Sequence, residues 1–231
     1  MAFEKIEISP EIAERFPRAR IGWLLADVAV AASHPAVETA KEGLAALLAA
    51  RGVDEDNLAK QPDIAMWRTV YGEMGVKPSK YRSSLEALVR RVVKGQGLWN
   101  VSSVVDAYNC VSVATFLAMG AHDTAQIDGT LSLRFGRAGE AFLPLGAGGE
   151  IVPVDPRNVV YADASKVCCW LWNHRDTRLA CVTEQTTEAV FIVDSAFPPA
   201  TTPIADGLET LAKVLEEIGC KPKARGIVGG E

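Results

Sequence analysis

The sequence predicts an α+β fold in which helices come first and short strands follow. Up to Gly120, apolar residues recur at the three- and four-residue spacing of helices, with capping residues before them and glycines after them. From Leu131 onward, short apolar segments alternate with Gly, Pro, Asp and Asn, as in strands joined by turns. An amphipathic segment at Ile204–Ile218 predicts a C-terminal helix.

This pattern also predicts the bounds of each element. His34 is expected to cap the first helix at the surface, and Ser83 begins a capping box with Glu86. His122-Asp123 and His174–Asp176 are predicted to lie in loops. The predicted strands are 20–31, 131–135, 141–145, 151–154, 158–162, 167–172, 179–183 and 189–193; the helices are 35–51, 63–74, 84–94 and 103–120; 146–149 is a hairpin loop and 221–231 a frayed tail.

The domain organisation predicted is one compact domain with three segments. These are an N-terminal strand-helix extension (1–61), a core (62–199), and a C-terminal helix with its tail (200–231). No apolar run reaches the roughly 20 residues that span a membrane, and no signal peptide is visible, so a cytoplasmic protein without membrane contact is expected. The five cysteines form no C-x-x-C pair, which predicts buried reduced thiols.

Charge is distributed unevenly along the chain. The net charge is -5, yet six Lys or Arg and one Glu fall between Lys77 and Lys94. A positive patch on an acidic protein favours binding of one specific polyanion over indiscriminate nucleic-acid binding.

Several common chemistries are excluded by their missing motifs. The sequence contains no G-x-x-x-x-G-K-[ST] phosphate loop, no G-x-S-x-G nucleophile elbow and no H-E-x-x-H metal motif. No cofactor and no metal are predicted.

Short motifs follow one another in a specific order between residues 62 and 199. They are Tyr81–Glu86, Val105-Asp106, Asn109, Gly120, Asp128, Arg134, Gly139-Glu140, Val159-Val160, Asp163, Trp170–Asp176, Thr183–Thr187 and Ala196–Pro198. This series resembles the B3/B4 domain of the phenylalanyl-tRNA synthetase β subunit, and the order of the motifs is more specific than any one of them. Tyr81–Glu86 and Trp170–Asp176 are more similar to free-standing B3/B4 proteins.

The resemblance implies a B3/B4-like fold, with N-terminal helices packed on a β-rich body and a C-terminal helix. It implies a tRNA-binding protein that hydrolyses the ester of a mischarged aminoacyl-tRNA in trans, an editing reaction that requires no Ser-His-Asp triad. The residues expected to act are Asn109, Glu184, Thr186 and Thr187 in catalysis, Asp106, Asp128 and Trp172 in the pocket, and Lys80, Arg82, Arg90 and Lys94 on RNA phosphates.

Two departures from the family pattern concern the expected pocket. The family has a histidine shortly before the aspartate that Asp128 matches, where this chain has Thr124–Ile127, and the sequence does not decide whether His122 replaces it. The glycine-rich turn of the synthetase domain is replaced by Trp170–Asp176, which predicts a changed pocket shape.

Two other classes of function fit the same residues. The first is a non-catalytic binding module in which the pocket holds a free amino acid or a similar metabolite. The second is an interaction protein with Trp170 and Trp172 at a partner surface, because residues two apart on a strand face the same side. Burial of both tryptophans in the core is the expectation that competes with the second class.

Overall fold

A computed structural model describes residues 3–146 and 150–230, so most of the predicted loop at 146–149 lies outside the described residues. The helices are α1 (Pro10–Arg15), α2 (Pro35–Ala50), α3 (Pro62–Glu73), α4 (Ser84–Val93), α5 (Ser103–Thr115) and α6 (Ile204–Glu217). The strands are β1 (Ile6–Ile8), β2 (Arg20–Asp27), β3 (Ala118–Asp123), β4 (Leu131–Phe135), β5 (Ala141–Phe142), β6 (Val152–Pro153), β7 (Val159–Ala162), β8 (Val167–Trp170), β9 (Arg175–Asp176), β10 (Glu188–Ser195) and β11 (Lys221–Gly229).

The predicted α+β class is confirmed, and the strands form two main sheets. A four-stranded antiparallel sheet has the order β11-β2-β10-β3. A five-stranded sheet has the order β1-β4-β7-β8-β9, with β1 parallel to β4. Strands β5 and β6 pair separately. The segments 1–61, 62–199 and 200–231 all contribute strands to the four-stranded sheet.

The four-stranded sheet has a helix on one face and the five-stranded sheet on the other. Gly22 of β2 lies directly under α6, where a Cβ atom would collide with Ile204. On the opposite face, Asp194 of β10 reaches Tyr161 of β7, because alternate residues of a strand point to opposite sides. The space between the two sheets is therefore part of the core, and it contains polar side chains.

Several helix ends follow the sequence closely. The Ser83 hydroxyl accepts the Glu86 N–H as an N-cap, and the His34 ring accepts the Ala36 N–H at the start of α2. The Glu86 side chain departs from the capping-box prediction, because its carboxylate binds arginines instead of the helix N-terminus. Helix α5 ends earlier than predicted, at Thr115, and the next residue, Phe116, has a φ of 61°.

The predictions for β3, for 179–183 and for the tail were wrong. Residues 118–120 lie in β3 and not in a helix, because the left-handed Phe116 reverses the chain onto the sheet edge. The segment 179–183 forms only one bridge, from Cys181 to His122. The tail is strand β11, which pairs with β2 along eight registered positions. Exposed and partly buried residues alternate along most of β11, so this segment lacks the continuous apolar run of a core strand.

Two further properties bear on function. None of the described helices is both long and apolar enough to cross a membrane. All five cysteines are free thiols, and Cys181 is more exposed than the other four, which are buried.

Candidate functional site: a polar cleft between the sheets

A cleft of about 50 Å³ lies between the two sheets, at the edge where β3 ends the four-stranded sheet. The segment after β8, from Leu171 to His174, closes one side, and the first residue of α4 lies at the rim. The lining residues are Ser84, Met119, Gly120, His122, Tyr161, Cys169, Trp172, Asn173, His174, Arg175, Asp176, Ile192 and Asp194.

Asp194 is the buried carboxyl group of this cleft. Its Oδ1 accepts the Tyr161 hydroxyl at 2.5 Å and the Trp172 indole N–H at 3.2 Å. Burial raises the pKa of Asp194 to about 7, although these two hydrogen bonds act in the opposite direction. A carboxyl group with a pKa near neutrality can exchange a proton at physiological pH, which is the property required of a general acid or base.

Trp172 forms a wall of the cleft and is fully buried. Its ring makes edge-to-face contacts with Phe16 and Trp67, each at a centroid distance of 5.2 Å. Leu171 and Trp172 have φ values of 53° and 65°, in the left-handed region that non-glycine residues rarely adopt. Such residues cost about 1–3 kcal/mol each and persist where their surroundings fix them, often at functional sites. Trp172 thus leaves the strand direction, whereas Trp170 is half-buried on β8.

Three polar atoms of the cleft have no hydrogen-bond partner: Ser84 Oγ, His122 Nδ1 and Asn173 Nδ2. Asn173 Nδ2 approaches Asp194 closely enough to affect the pKa of that carboxyl, without forming a hydrogen bond of normal geometry. Burial lowers the pKa of His122, so its imidazole is neutral at pH 7. Neutral imidazole nitrogens and amide groups are suited to binding a polar ligand.

An arginine cluster, consisting of Arg68, Arg82 and Arg90, surrounds the buried carboxylate of Glu86. The nitrogen–oxygen distances are 2.8 Å from Arg68, 3.3 Å from Arg90 and 3.6 Å from Arg82. Three guanidinium groups around one carboxylate leave a local charge of +2, and all three side chains are partly exposed. The Nε atoms of Arg82 and Arg90 are buried and form no hydrogen bond, and Arg82 Nε is the atom that lies 3.6 Å from the Glu86 carboxylate.

The arginine cluster lies next to the cleft. The His174 ring donates from Nδ1 to the Arg82 carbonyl oxygen at 2.7 Å, and the Ser84 N–H donates to the Asn173 carbonyl oxygen at 2.9 Å. Both bonds join α4 and the segment before it to the cleft wall. An anion held by the cluster would therefore lie beside a ligand in the cleft.

The other predicted RNA contacts lie farther along the same surface. Lys80 lies over the Tyr81 ring at 5.1 Å. Lys94 follows the last residue of α4, about 15 Å along the helix from its start, and pairs with exposed Glu55 at 3.5 Å. The structure brings Arg82 and Arg90 together and adds Arg68, which the sequence had not indicated.

The four predicted catalytic residues lie outside the cleft lining. Asn109 is half-buried on α5, and Glu184 is exposed in the turn before β10. Thr186 is buried in that turn, where its hydroxyl donates to Asp123 Oδ2 and accepts the Thr183 N–H, each at 2.9 Å. The exposed Thr187 accepts the Val28 N–H through its carbonyl oxygen. Asp123 thereby connects this turn to β3, where the preceding residue, His122, lines the cleft.

Of the three predicted pocket residues, Trp172 lines the cleft. Asp106 is buried and binds the Lys41 ammonium at 2.7 Å and the Val101 N–H at 3.1 Å, so it fixes the loop before α5. Asp128 lies at the opposite end of the five-stranded sheet, where its N–H donates to Asp163 Oδ2. Within the described ranges, no three His, Cys, Asp or Glu side chains are grouped as metal ligands.

Fold and site together define an α+β protein with a polar cleft between two sheets and a cationic rim. A model of the B3/4 domain family matches residues 66–223, which is more than half of the chain, and the protein belongs to this family.

Two relatives are both phenylalanyl-tRNA synthetase β subunits. The "Phenylalanine--tRNA ligase beta subunit" of Chromobacterium violaceum is 36% identical over 80 residues, which are 35% of this chain and 10% of that subunit. The chain therefore matches about a tenth of the length of this relative. A crystal structure of an N-terminal fragment of the β subunit from Pyrococcus horikoshii has a TM-score of 0.45 and 12% identity, over 94% of this chain and 50% of that one.

Proposed function

We propose that this protein binds the aminoacylated end of a tRNA and hydrolyses the ester between the amino acid and the ribose. The observation that carries this proposal is the location of unpaired buried polar atoms. Of the six such side-chain atoms in the described residues, five belong to the cleft or the arginine cluster. Each costs about 1–3 kcal/mol when left unpaired, so their grouping at one place supports a ligand that binds there. Membership in the B3/4 family and the similarity to a tRNA ligase subunit support tRNA as that ligand.

In this proposal the arginine cluster binds a phosphate near the aminoacylated end. Guanidinium groups bind phosphate oxygens in pairs of parallel hydrogen bonds, and the partly exposed guanidinium groups of the arginine cluster are suitable donors. Lys80 and Lys94 extend the contact along the backbone of the RNA. Such contacts position the substrate and carry no base specificity. An activity of this kind would operate in the cytoplasm.

Asp194 would act as the general base. Both of its hydrogen bonds go to Oδ1, so Oδ2 is the oxygen that takes a proton from a water molecule. The water oxygen then attacks the ester carbonyl carbon, and the bond from that carbon to the ribose oxygen breaks. The proton held by Asp194 returns to the ribose oxygen, giving free amino acid and tRNA. His122 and Asn173 supply polar contacts for the aminoacyl group.

Binding is tested by titrating tRNA against the Arg82→Gln/Arg90→Gln double variant. We expect weaker binding and a slope of log affinity against log salt that is smaller by about 1 to 2, because two phosphate contacts are lost. Lys213→Gln/Arg225→Gln is the matched control, since it removes the same charge from residues that pair with exposed Glu209. Equal effects of the two double variants would show that the arginine cluster is not the RNA site.

Hydrolysis is tested by following the deacylation of a panel of aminoacyl-tRNAs. Asp194→Asn is expected to abolish the acceleration, and the wild-type rate should rise with pH through about 7 as the base ionises. Glu184→Ala, measured beside it, tests the catalytic role predicted for the Thr183–Thr187 turn. The absence of acceleration for every aminoacyl-tRNA would refute the enzymatic proposal.

A free amino acid is the second candidate ligand, favoured by the small size of the cleft. A binding module of this kind would be stabilised by the amino acid alone, in the absence of RNA. Thermal unfolding in the presence of each amino acid separates this candidate from the first.

A further inference from the structure

We infer that the cleft accepts a small amino acid, of the size of glycine, alanine or serine, and excludes aromatic ones. This inference rests on the proposed function, because it names the substrate class of the same site. It depends on three features of the cleft: its volume, the rigidity of its walls and the position of its carboxylates.

The cleft volume of about 50 Å³ is decisive for size. A water molecule needs roughly 10–15 Å³ on this measure, whereas a cavity of about 150 Å³ accommodates a benzene molecule. The cleft therefore holds about four small groups, which the attacking water, the ammonium group and a side chain of one or two atoms account for. A phenol or phenyl ring requires about three times this volume and therefore cannot be enclosed in the cleft.

The walls are fixed by contacts that oppose widening. The Trp172 indole is buried between Phe16 and Trp67, its N–H binds Asp194, and its backbone N–H donates to the Val159 carbonyl oxygen at 2.7 Å. Tyr161 is also buried, and its hydroxyl binds the same carboxyl. Moving either ring would break a buried hydrogen bond and open the core.

The carboxylates of the cleft favour a ligand with an ammonium group. Asp176 and Asp194 both line the cleft, and neither forms a salt bridge within the described part of the chain. Gly120 faces Asp176, because a Cβ atom at position 120 would lie 3.7 Å from its Oδ2 and 3.9 Å from its Oδ1. Because glycine has no side chain, the Asp176 carboxylate is accessible to the α-ammonium group. His122 Nδ1 can accept a hydrogen bond from the hydroxyl of a serine.

The test uses stable analogues in which an amide replaces the ester: adenosine carrying a glycyl, alanyl, seryl or tyrosyl group on a 3′-amino group. Affinities are measured by calorimetry, so the result does not depend on hydrolysis. We expect the three small probes to bind at least tenfold more tightly than the tyrosyl probe. Ile192→Ala, which removes a side chain from the cleft lining, should reduce this difference at least threefold.

Two further variants keep the test informative. Val190→Ala is the matched control, because Val190 is buried on the same strand and the same face but does not line the cleft. Gly120→Ala adds a methyl group at ordinary contact distance from Asp176 and should weaken alanyl binding at least tenfold.

The possible results separate this inference from the proposed function. Tyrosyl binding as tight as alanyl binding in the wild-type protein would overturn the inference and leave the proposed function intact. Equal effects of Ile192→Ala and Val190→Ala would also overturn it. The absence of binding by every probe and by aminoacyl-tRNA would overturn the proposed function, and the inference with it.

Discussion

Replacing Asp194 with asparagine should stabilise the protein at high pH and have little effect at low pH. Burial raises the pKa of the Asp194 carboxyl from its usual 3.8 to about 7 in the folded protein. The folded state therefore holds a proton that the unfolded state releases between pH 4 and 7. Stability contributed by this group is complete below about pH 4 and is lost as the pH rises through about 7.

The magnitude follows from the difference between the two pKa values. At about 1.4 kcal/mol per pKa unit, ionisation of Asp194 costs the folded state about 4 kcal/mol by pH 8 or above. Asparagine stays neutral, and its side-chain oxygen can still accept hydrogen bonds from Tyr161 and Trp172. Asp194→Asn should therefore become more stable than the wild type by up to about 4 kcal/mol at pH 8.

Urea denaturation of both proteins at several pH values between 4 and 8 measures this difference. Tyr161→Phe is an informative companion, because losing the hydroxyl donor should raise the pKa of Asp194 further and lower stability at pH 8. In the double variant Asp194→Asn/Tyr161→Phe, this pH dependence should disappear. A stability difference between wild type and Asp194→Asn that stays constant from pH 4 to 8 would refute the reasoning.

Three other predictions concern the fold around the site. Glu86→Gln should lower the free energy of unfolding, measured in urea, by about 2 kcal/mol, because three partly exposed guanidinium groups lose their carboxylate partner. An unchanged free energy of unfolding would mean that solvent already screens the charges of these groups. Gly22→Ala should lower the free energy of unfolding by about 1–3 kcal/mol, because the new Cβ atom meets Ile204. Gly43→Ala lies in open space on α2 and should raise the free energy of unfolding by about 0.5–1 kcal/mol. Equal effects of the two variants would contradict the close packing of β2 and α6. Deleting 221–231 should lower Tm by about 10 °C or more, because β2 loses a registered neighbour, and an unchanged Tm would show that β11 adds no stability.

The helices were predictable because their signals are local. Ser83 and His34 act as caps as expected, and the helix ends fall within a few residues of the predictions except in α5. The end of α5 was not predictable in this way, because a phenylalanine with φ of 61° is not a typical helix terminator. Strand β3 was then missed, since its Gly and His residues do not resemble an apolar strand.

The candidate site was predicted only in part. The replacement of a glycine-rich turn by Trp170–Asp176 predicted a changed pocket shape, and Trp172 of this segment lines the cleft. Asp194 was missed because it follows an apolar strand whose predicted end was Val193. A single carboxylate at the end of such a strand was the available signal. Arg68 was missed because its partner, Glu86, is 18 residues away.

The sequence by itself determined the α+β class, the helices with their caps, the positive segment from Lys77 to Lys94 and the resemblance to the B3/4 family. These depend on residue type and on spacing within a few turns of chain. Only the tertiary structure decided which polar groups meet. Asp194, Tyr161 and His122 come from three strands, and the cleft exists because two sheets pack face to face. Its small volume and the raised pKa of Asp194 are consequences of burial, which depends on the packing of the whole chain.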